Sequence, residues 1–488
     1  MPIIKTTTER LGRPAFSMDF INSQQFPGWH NPLTRASKAT FLNAAGYIEQ
    51  APPHTPRFNH HPETGKPKGL LIENQQTNYF LDYRFGTSEV NPSFNASNGE
   101  GVTMTYGTGG TLSPAGDFTA TYVNAGTSTG SHRIVSGSNP ISGIANTFSC
   151  YVKPDTTNRV SIDCDNIGIS IAYFLSGDGS IHGTPQNSQG FLTDVFIEKW
   201  PNGWYRIGAS ISSANSGGGN DWRVYLANAT HNTSFSATGE SIYIWGAQLE
   251  NAYGATSLIK SVGSQTTRSE DFLGHQGSGN STMNYIYPNT GNTYPSVQQP
   301  NEGGVMFYLH GEIDWQWNNG TNYYYFQWDS TGGDEYYGFR IGGSSGVMTL
   351  QVYNNTSYNS ITLGGNPVQR KTASTNALPD AAFGEHVKRE FMMAASLHPD
   401  TGMRAKGRYI NTTDNHYYEN ASDLEILSGA TSPNLPGVQG YGQLNLFAVV
   451  GSGQILRNGH IKCLKFWNQP AGFNSTDVDA ILTQLVEE

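Results

Sequence analysis

Runs of alternating large and small residues, each stopped by glycine, proline, serine or asparagine, recur along this chain and leave little room for helix. Thr147-Phe148-Ser149-Cys150-Tyr151-Val152-Lys153 ends on Pro154, and residues 159–163 and 204–209 alternate in the same way. Residues 212–220 form a Gly/Ser/Asn loop, followed by Trp222-Arg223-Val224-Tyr225-Leu226. Successive side chains of a strand point to opposite faces, so period two marks a strand with one buried face. Fifty-seven glycines and 24 prolines supply the turns, and charged residues make up only 14% of the chain. Abundant Gly, Ser, Thr, Asn and Tyr with little Lys or Glu favours short strands and turns over solvated helices. The fold class expected is all-β.

A length of 488 residues allows two or three domains. Residues 1–75 carry turn formers and little periodicity, which predicts an extended N-terminal arm held by the rest of the chain, another subunit or a larger assembly. A first β-sandwich is expected over 76–271, with 241–250 as its closing strand. A polar linker follows over 272–302, and a second β-sandwich over 303–488. Residues 474–485 predict a short C-terminal helix. Asn474 or Ser475 can cap it, and Val478, Ile481, Leu482 and Leu485 share one face.

Charge and hydropathy exclude several functions. Twenty-eight Lys and Arg against 38 Asp and Glu give a formal charge of −10 without basic runs, a poor match for nucleic acid. No apolar run approaches the roughly 20 residues that span a bilayer, so membrane insertion is not expected. The start, Met1-Pro2-Ile3-Ile4-Lys5, lacks a secretory h-region, which predicts synthesis in a cytoplasm. Cys150, Cys164 and Cys463 form no CxxC motif and read as buried free thiols. Adjacent His60 and His61 point to opposite sides of an extended segment, which disfavours a shared metal.

Two spaced motif sets carry a resemblance. The first comprises Thr34-Arg35-Ala36-Ser37 with Ala39-Thr40, then Ala51-Pro52, Pro56-Arg57-Phe58, Gly69-Leu70-Leu71-Ile72-Glu73 and Thr77-Asn78. The second comprises Trp204-Tyr205-Arg206-Ile207, the 242–250 run, Thr256-Ser257 and Thr266-Thr267-Arg268-Ser269-Glu270-Asp271. Together they resemble the virion fibre and appendage proteins of tailed phages over roughly residues 15–271. Those relatives often follow "TS" with "YIPT", where this chain has Leu258-Ile259-Lys260-Ser261, a difference that reads as drift in a linker strand. The resemblance implies two jelly-roll β-sandwich domains after the arm, the first like a carbohydrate-binding module. The C-terminal pattern, "KFWNQP" then a capped helix, resembles concanavalin A-like and laminin-G-like lectin domains.

The resemblance implies a structural protein of the virion: a tail fibre, a tailspike-like appendage, or a capsid fibre or decoration protein. It would be made in the host cytoplasm and carried in the particle. Its partners would be other virion proteins through residues 1–75, host surface glycans or receptors, and further copies of itself, with a trimer favoured. A polysaccharide depolymerase and a purely architectural capsid cement protein are the alternatives.

The residues offer three places for chemistry. Glu312-Ile313-Asp314-Trp315-Gln316 resembles the carboxylate strand of laminarinase-type glycosidases, whose alternate carboxylates share one face. Gln316 replaces the second glutamate, and Trp317 stands where the longer form of the motif would carry it. An amide cannot cycle the proton. The reading is therefore a strand whose polar residues face solvent, in a protein that is not an enzyme. Asp329, Asp334 and Glu335 form an acidic turn that could supply oxygen ligands to Ca2+, and no other cofactor is implied. Trp315, Trp317, Tyr323, Tyr325, Trp328 and Tyr336, with Tyr324 and Tyr337 among them, form an aromatic cluster suited to the C–H faces of sugars. Strand alternation would set Tyr324 opposite Tyr323 and Tyr325.

Overall fold

The computed structural model describes residues 11–24, 33–85, 94–107, 110–136, 145–164, 167–212, 221–252, 254–273, 304–316, 323–329, 335–341, 348–354, 358–362, 386–398, 401–410, 427–430, 443–446, 459–469 and 472–487. The chain is all-β, with helix Ser475–Glu487 near the C-terminus. Trp317 and Asp334 lie outside the described residues.

Residues 94–250 form two antiparallel six-stranded sheets. One runs Leu192–Trp200, Trp204–Ile211, Asn146–Pro154, Ser241–Glu250, Thr121–Asn124 and Thr103–Tyr106. The other runs Ser180–Asn187, Ile169–Phe174, Arg159–Cys164, Trp222–Leu226, Arg133–Ser136 and Phe94–Glu100. Alternation decides what lies between them. Val160, Ile162, Ile171, Val224 and Leu226 from the second sheet meet Phe148, Val152, Ile207, Ile242 and Ile244 from the first, all fully buried. Phe148 stacks on Trp222 across this core, with ring centroids 5.2 Å apart. Burying such a side chain contributes about 1.5–3 kcal/mol.

The first sheet is also covered on its other face, where Tyr151, Trp204, Trp245 and Tyr83 pack with Ile48 and Leu258. Trp204 Nε1 donates to Leu112 O at 3.0 Å and Trp245 Nε1 to Thr119 Oγ1 at 2.9 Å. Gly246, at φ 71°, lies at the register shift opposite 149–151. A Cβ there would lie 2.6 Å from the Tyr151 ring. The bulge lets Trp245 face outward while Ala247 and Leu249 return to the core.

The C-terminal part holds a five-stranded sheet (Tyr358–Thr362, Met348–Asn354, Glu335–Ile341, Tyr323–Asp329, Gln443–Leu446) and an eight-stranded one. Five strands of the larger sheet come from the C-terminal part: Leu427–Ala430, Gly402–Ile410, His386–His398, Val305–Gln316 and Gly459–Asn468. The N-terminal segment contributes the other three. Pro67–Ile72 and Phe16–Asp19 both pair with Gly459–Asn468, and Phe58–His60 pairs with Pro67–Ile72. The expected arm is thus held by its own chain. Further on, Gln76–Asn78 pairs with Thr266–Arg268, and Leu33–Thr34 with Phe272–Leu273.

The helix lies where its caps place it. Asn474 Oδ1 accepts from the Thr476 and Asp477 amides at 2.9 and 3.0 Å. Its apolar stripe, Val478, Ile481, Leu482 and Leu485, is buried with Met306, Tyr308, Met392 and Trp467.

All three cysteines are buried thiols. Cys150 and Cys164 come from different sheets of the first sandwich and share its core. Burial raises the Cys150 thiol and pushes Cys463 up to about 12. A disulfide reagent such as DTNB should therefore leave the folded protein unmodified and titrate all three thiols in denaturant. Rapid modification of any of them in the native state would contradict this burial.

Candidate functional site

The densest chemistry in the described chain is a buried cluster of five charged side chains: Arg35, Arg57, Glu73, Arg268 and Asp271. Each comes from one of the recurring motif blocks, and the fold brings together residues up to 236 positions apart. Asp271 Oδ1 accepts from Arg35 Nη1 at 2.8 Å, and Oδ2 accepts from Arg57 Nη2 and from the Glu73 amide at 2.9 Å. Glu73 Oε2 accepts from Arg57 Nη1 at 2.6 Å, from Ser257 Oγ at 2.6 Å and from Arg268 Nη1. The Ser257 amide donates to Glu73 Oε1 at 2.6 Å.

Backbone carbonyls take further guanidinium protons, while the buried Nε of Arg57 and of Arg268 has no hydrogen-bond partner. Arg35 donates to Ser37 O, Pro52 O and Thr55 O, Arg57 to Thr40 O, and Arg268 to Asn74 O. Three arginines face two carboxylates, so carbonyl dipoles must offset the excess positive charge.

Burial alone would raise the Glu73 carboxyl, but Arg268, Arg57 and Ser257 outweigh it and hold the group far below the carboxylate range. Arg57 is raised because Asp271 and Glu73 overcome its desolvation. Arg35 is lowered, mainly by burial, with Arg57 and Arg268 adding to it.

A second polar set adjoins this one through Thr256 and Ser257. Glu250 accepts from Gln248 Nε2 at 2.7 Å and from the Thr256 amide at 2.9 Å, and burial raises its carboxyl. Arg206 Nη2 donates to Thr256 O at 2.7 Å. The following residues are more than a linker. Leu258 and Ile259 are buried, and Lys260 Nζ lies 5.8 Å from the ring centroids of both Tyr83 and Trp245.

Glu312 does not face solvent as the sequence suggested. It is buried on the central strand of the larger sheet, where Lys68 Nζ lies 2.9 Å and His460 Nδ1 3.2 Å from Oε1. Lys68 and His460 outweigh desolvation and hold its carboxyl well below the usual range. Asn59 Nδ2 reaches His460 Nε2 at 3.0 Å, so hairpin 58–72 is fastened here too. On the neighbouring strand Glu390 meets His310 Nε2 at 2.5 Å and Lys462 Nζ at 2.6 Å, and these two partners lower it against its desolvation. A carboxylate saturated in this way is poorly placed to donate or accept a proton.

The depressed carboxyls carry a pH dependence. Their stabilisation is present above the unfolded carboxylate range and is lost as pH falls through the lower folded values. The melting temperature should therefore drop steeply as pH is taken below about 4. Glu312→Gln should give a shallower acid slope than the native chain, read by thermal melts in a pH series. Identical slopes would contradict the assignment.

The aromatic cluster is divided between two sheets. Trp315 stands opposite Val387 in the eight-stranded sheet. Tyr323, Tyr325 and Trp328 belong to Tyr323–Asp329, and Tyr336 to Glu335–Ile341, in the five-stranded one. Trp328 pairs with Tyr337 and Asp329 with Tyr336, but a register shift between Tyr324 and Phe326 interrupts the simple alternation there. Asp329 and Glu335 close the two strands of that hairpin, with residues 330–334 outside the described set. No group of three metal-ligating His, Cys, Asp or Glu occurs among the described residues.

No family model matches the chain, and no curated protein matches it. Among solved structures, domains LG4-5 of the mouse laminin alpha1 chain are similar at 10% identity, covering 78% of this chain and 90% of that one, with a TM-score of 0.19. The fold class rests on the strand pairing described above.

Proposed function

We propose that this chain is a structural protein of a tailed-phage virion, a tail or capsid fibre or decoration protein. Its β domains would be presented to host surface glycans without catalysis. The observation that carries the reading is the convergence of Arg35, Arg57, Glu73, Arg268 and Asp271. The motif blocks that carry the resemblance lie far apart in sequence, yet five of their charged residues form one buried ion cluster. The resemblance thus follows a physical unit rather than scattered coincidences. The occupied carboxylate of Glu312 supports a non-catalytic role over a depolymerase. Residues 1–75 would join neighbouring virion proteins, and the protein would act as a homo-oligomer, a trimer by preference.

The test has two parts: antibody labelling of purified virions, and binding of labelled protein to intact candidate host cells with free surface polysaccharide as competitor. Labelled particles and saturable binding abolished by the polysaccharide are expected. Unlabelled particles from a lysate that contains the protein would overturn the virion assignment. Labelled particles without cell binding would favour a capsid cement protein, and release of reducing sugar would favour a depolymerase.

A further inference from the structure

The turn after strand Trp222–Leu226 reaches over two neighbouring strands, Arg159–Cys164 and Ile169–Phe174, to the end strand of the second sheet, Ser180–Asn187. The contact is a pair of stacked imidazoles. His182, exposed on the end strand, lies parallel to the half-buried His231 of the turn, with centroids 3.7 Å apart and 2° between the ring planes. Phe174 stands beside the stack, its ring 6.3 Å from His231.

The turn is otherwise tied to itself. Asn228 Oδ1 accepts from the Thr230 and Asn232 amides at 2.9 and 3.0 Å. The His231 amide donates to Asn228 O at 2.9 Å, and the Asn228 amide to Asn232 O at 3.0 Å. These bonds hold His231 at φ 59°, a left-handed conformation that costs a non-glycine residue free energy. Among the described residues they stay inside the turn, so ring contacts are what fasten its tip to the far strand.

The stack suits uncharged rings. His231 Nε2 is shut off from solvent and has no hydrogen-bond partner. Protonation would leave a charged ring with an unpaired, buried N–H, and two charged rings 3.7 Å apart would repel. Arg159, held 5.0 Å over the Phe174 ring, adds a fixed positive charge. The charged and titratable groups that act on His231 from the packed strands are His182 and Arg159, and both oppose its protonation. Burial first, then these two, push the imidazole from 6.5 down to about 4.

We propose that the His182–His231 stack is an acid-released latch, which holds turn 228–232 on the sheet at neutral pH and frees it on acidification while the sandwich stays folded. Linkage sets the direction. In the open turn His231 is hydrated and takes a proton at its usual value, whereas the closed turn resists until about 4. The fastening is therefore complete above about 6.5 and is lost as pH falls towards about 4. Each unit of depression changes the ratio of closed to open turn about tenfold. Water on the exposed side screens the pair, so a total change of about tenfold is expected between about pH 7 and pH 4.

Hydrogen exchange of the full chain, read by mass spectrometry over that pH range and corrected for intrinsic rates, tests the latch. Peptides covering 226–234 should lose protection about tenfold on acidification, while those from core strand Asn146–Pro154 keep theirs. His231→Asn retains a residue that tolerates the left-handed turn but cannot titrate, and should abolish the pH dependence at 226–234. His182→Ala should move the His231 midpoint, read by NMR of isotope-labelled histidine, back towards 6.5. A native His231 midpoint near 6.5, or protection at 226–234 that is indifferent to pH, would overturn the latch. So would the same pH dependence in His231→Asn. Loss of protection in the core strand at the same pH would also overturn it, because the event would then be global acid unfolding.

Discussion

Asp271→Ala is expected to destabilise the protein by about 3–5 kcal/mol, the usual cost of stripping one partner from a buried ion pair. The substitution removes acceptors for Arg35 and Arg57 together and frees the Glu73 amide. Both guanidinium groups would stay buried with one carboxylate left among three arginines. Asp271→Asn should recover only part of the loss, because the amide keeps the shape but not the charge. Denaturant titration measures both. A loss under about 1 kcal/mol, the scale of an exposed pair, would show that the cluster is open to water.

The second large effect is expected at Gly69. This residue holds φ at 103° inside strand Pro67–Ile72, where a Cβ would stand 2.3 Å from the Ile461 carbonyl oxygen. Gly69→Val combines left-handed strain of about 1–2 kcal/mol with overpacking of about 1–3 kcal/mol. Because the clash is with backbone, a rotamer change cannot relieve it. The strand should detach from Gly459–Asn468 and take the Lys68–Glu312 pair with it. Chymotrypsin should then cut near Leu70 or Leu71 in the variant but not in the native chain. A variant as resistant as the native protein would contradict the pairing.

The two predictions meet at hairpin 58–72. Arg57 and Glu73 flank it and enter the ion cluster, while its strands extend the C-terminal sheet. One short element therefore connects the segment that follows the first sandwich with the second β unit.

Long alternating runs and the C-terminal helix were legible in the sequence because period and capping are local. The N-terminal strands were not. Ile48–Ala51 buries only its two ends, and Phe58–His60 has three residues, too few for a period to register. Phe16–Asp19 and Pro67–Ile72 take a partner hundreds of positions away, at 459–468, which no local period can signal. The same holds for Glu312: alternation found its strand, but burial depended on Lys68 and His460 arriving from elsewhere. The ion cluster had a usable signal. In a chain with only 14% charged residues, the charges inside the motif blocks were the ones to suspect. Closeness in sequence placed Trp315 beside residues that the fold assigns to a different sheet, a division that strand alternation alone does not reveal.

Amide hydrogen exchange across the hairpin tests the account most directly. With strand Pro67–Ile72 held between Phe58–His60 and Gly459–Asn468, the amides of Leu70, Leu71 and Ile461 should exchange as slowly as those of the central strand at 305–309. In Asp271→Ala the hairpin amides should lose protection together while the core of the first sandwich keeps its own. Fast exchange of residues 58–72 in the native protein would mean that the segment is not built into the fold, and the account of the motif cluster as a junction would fail.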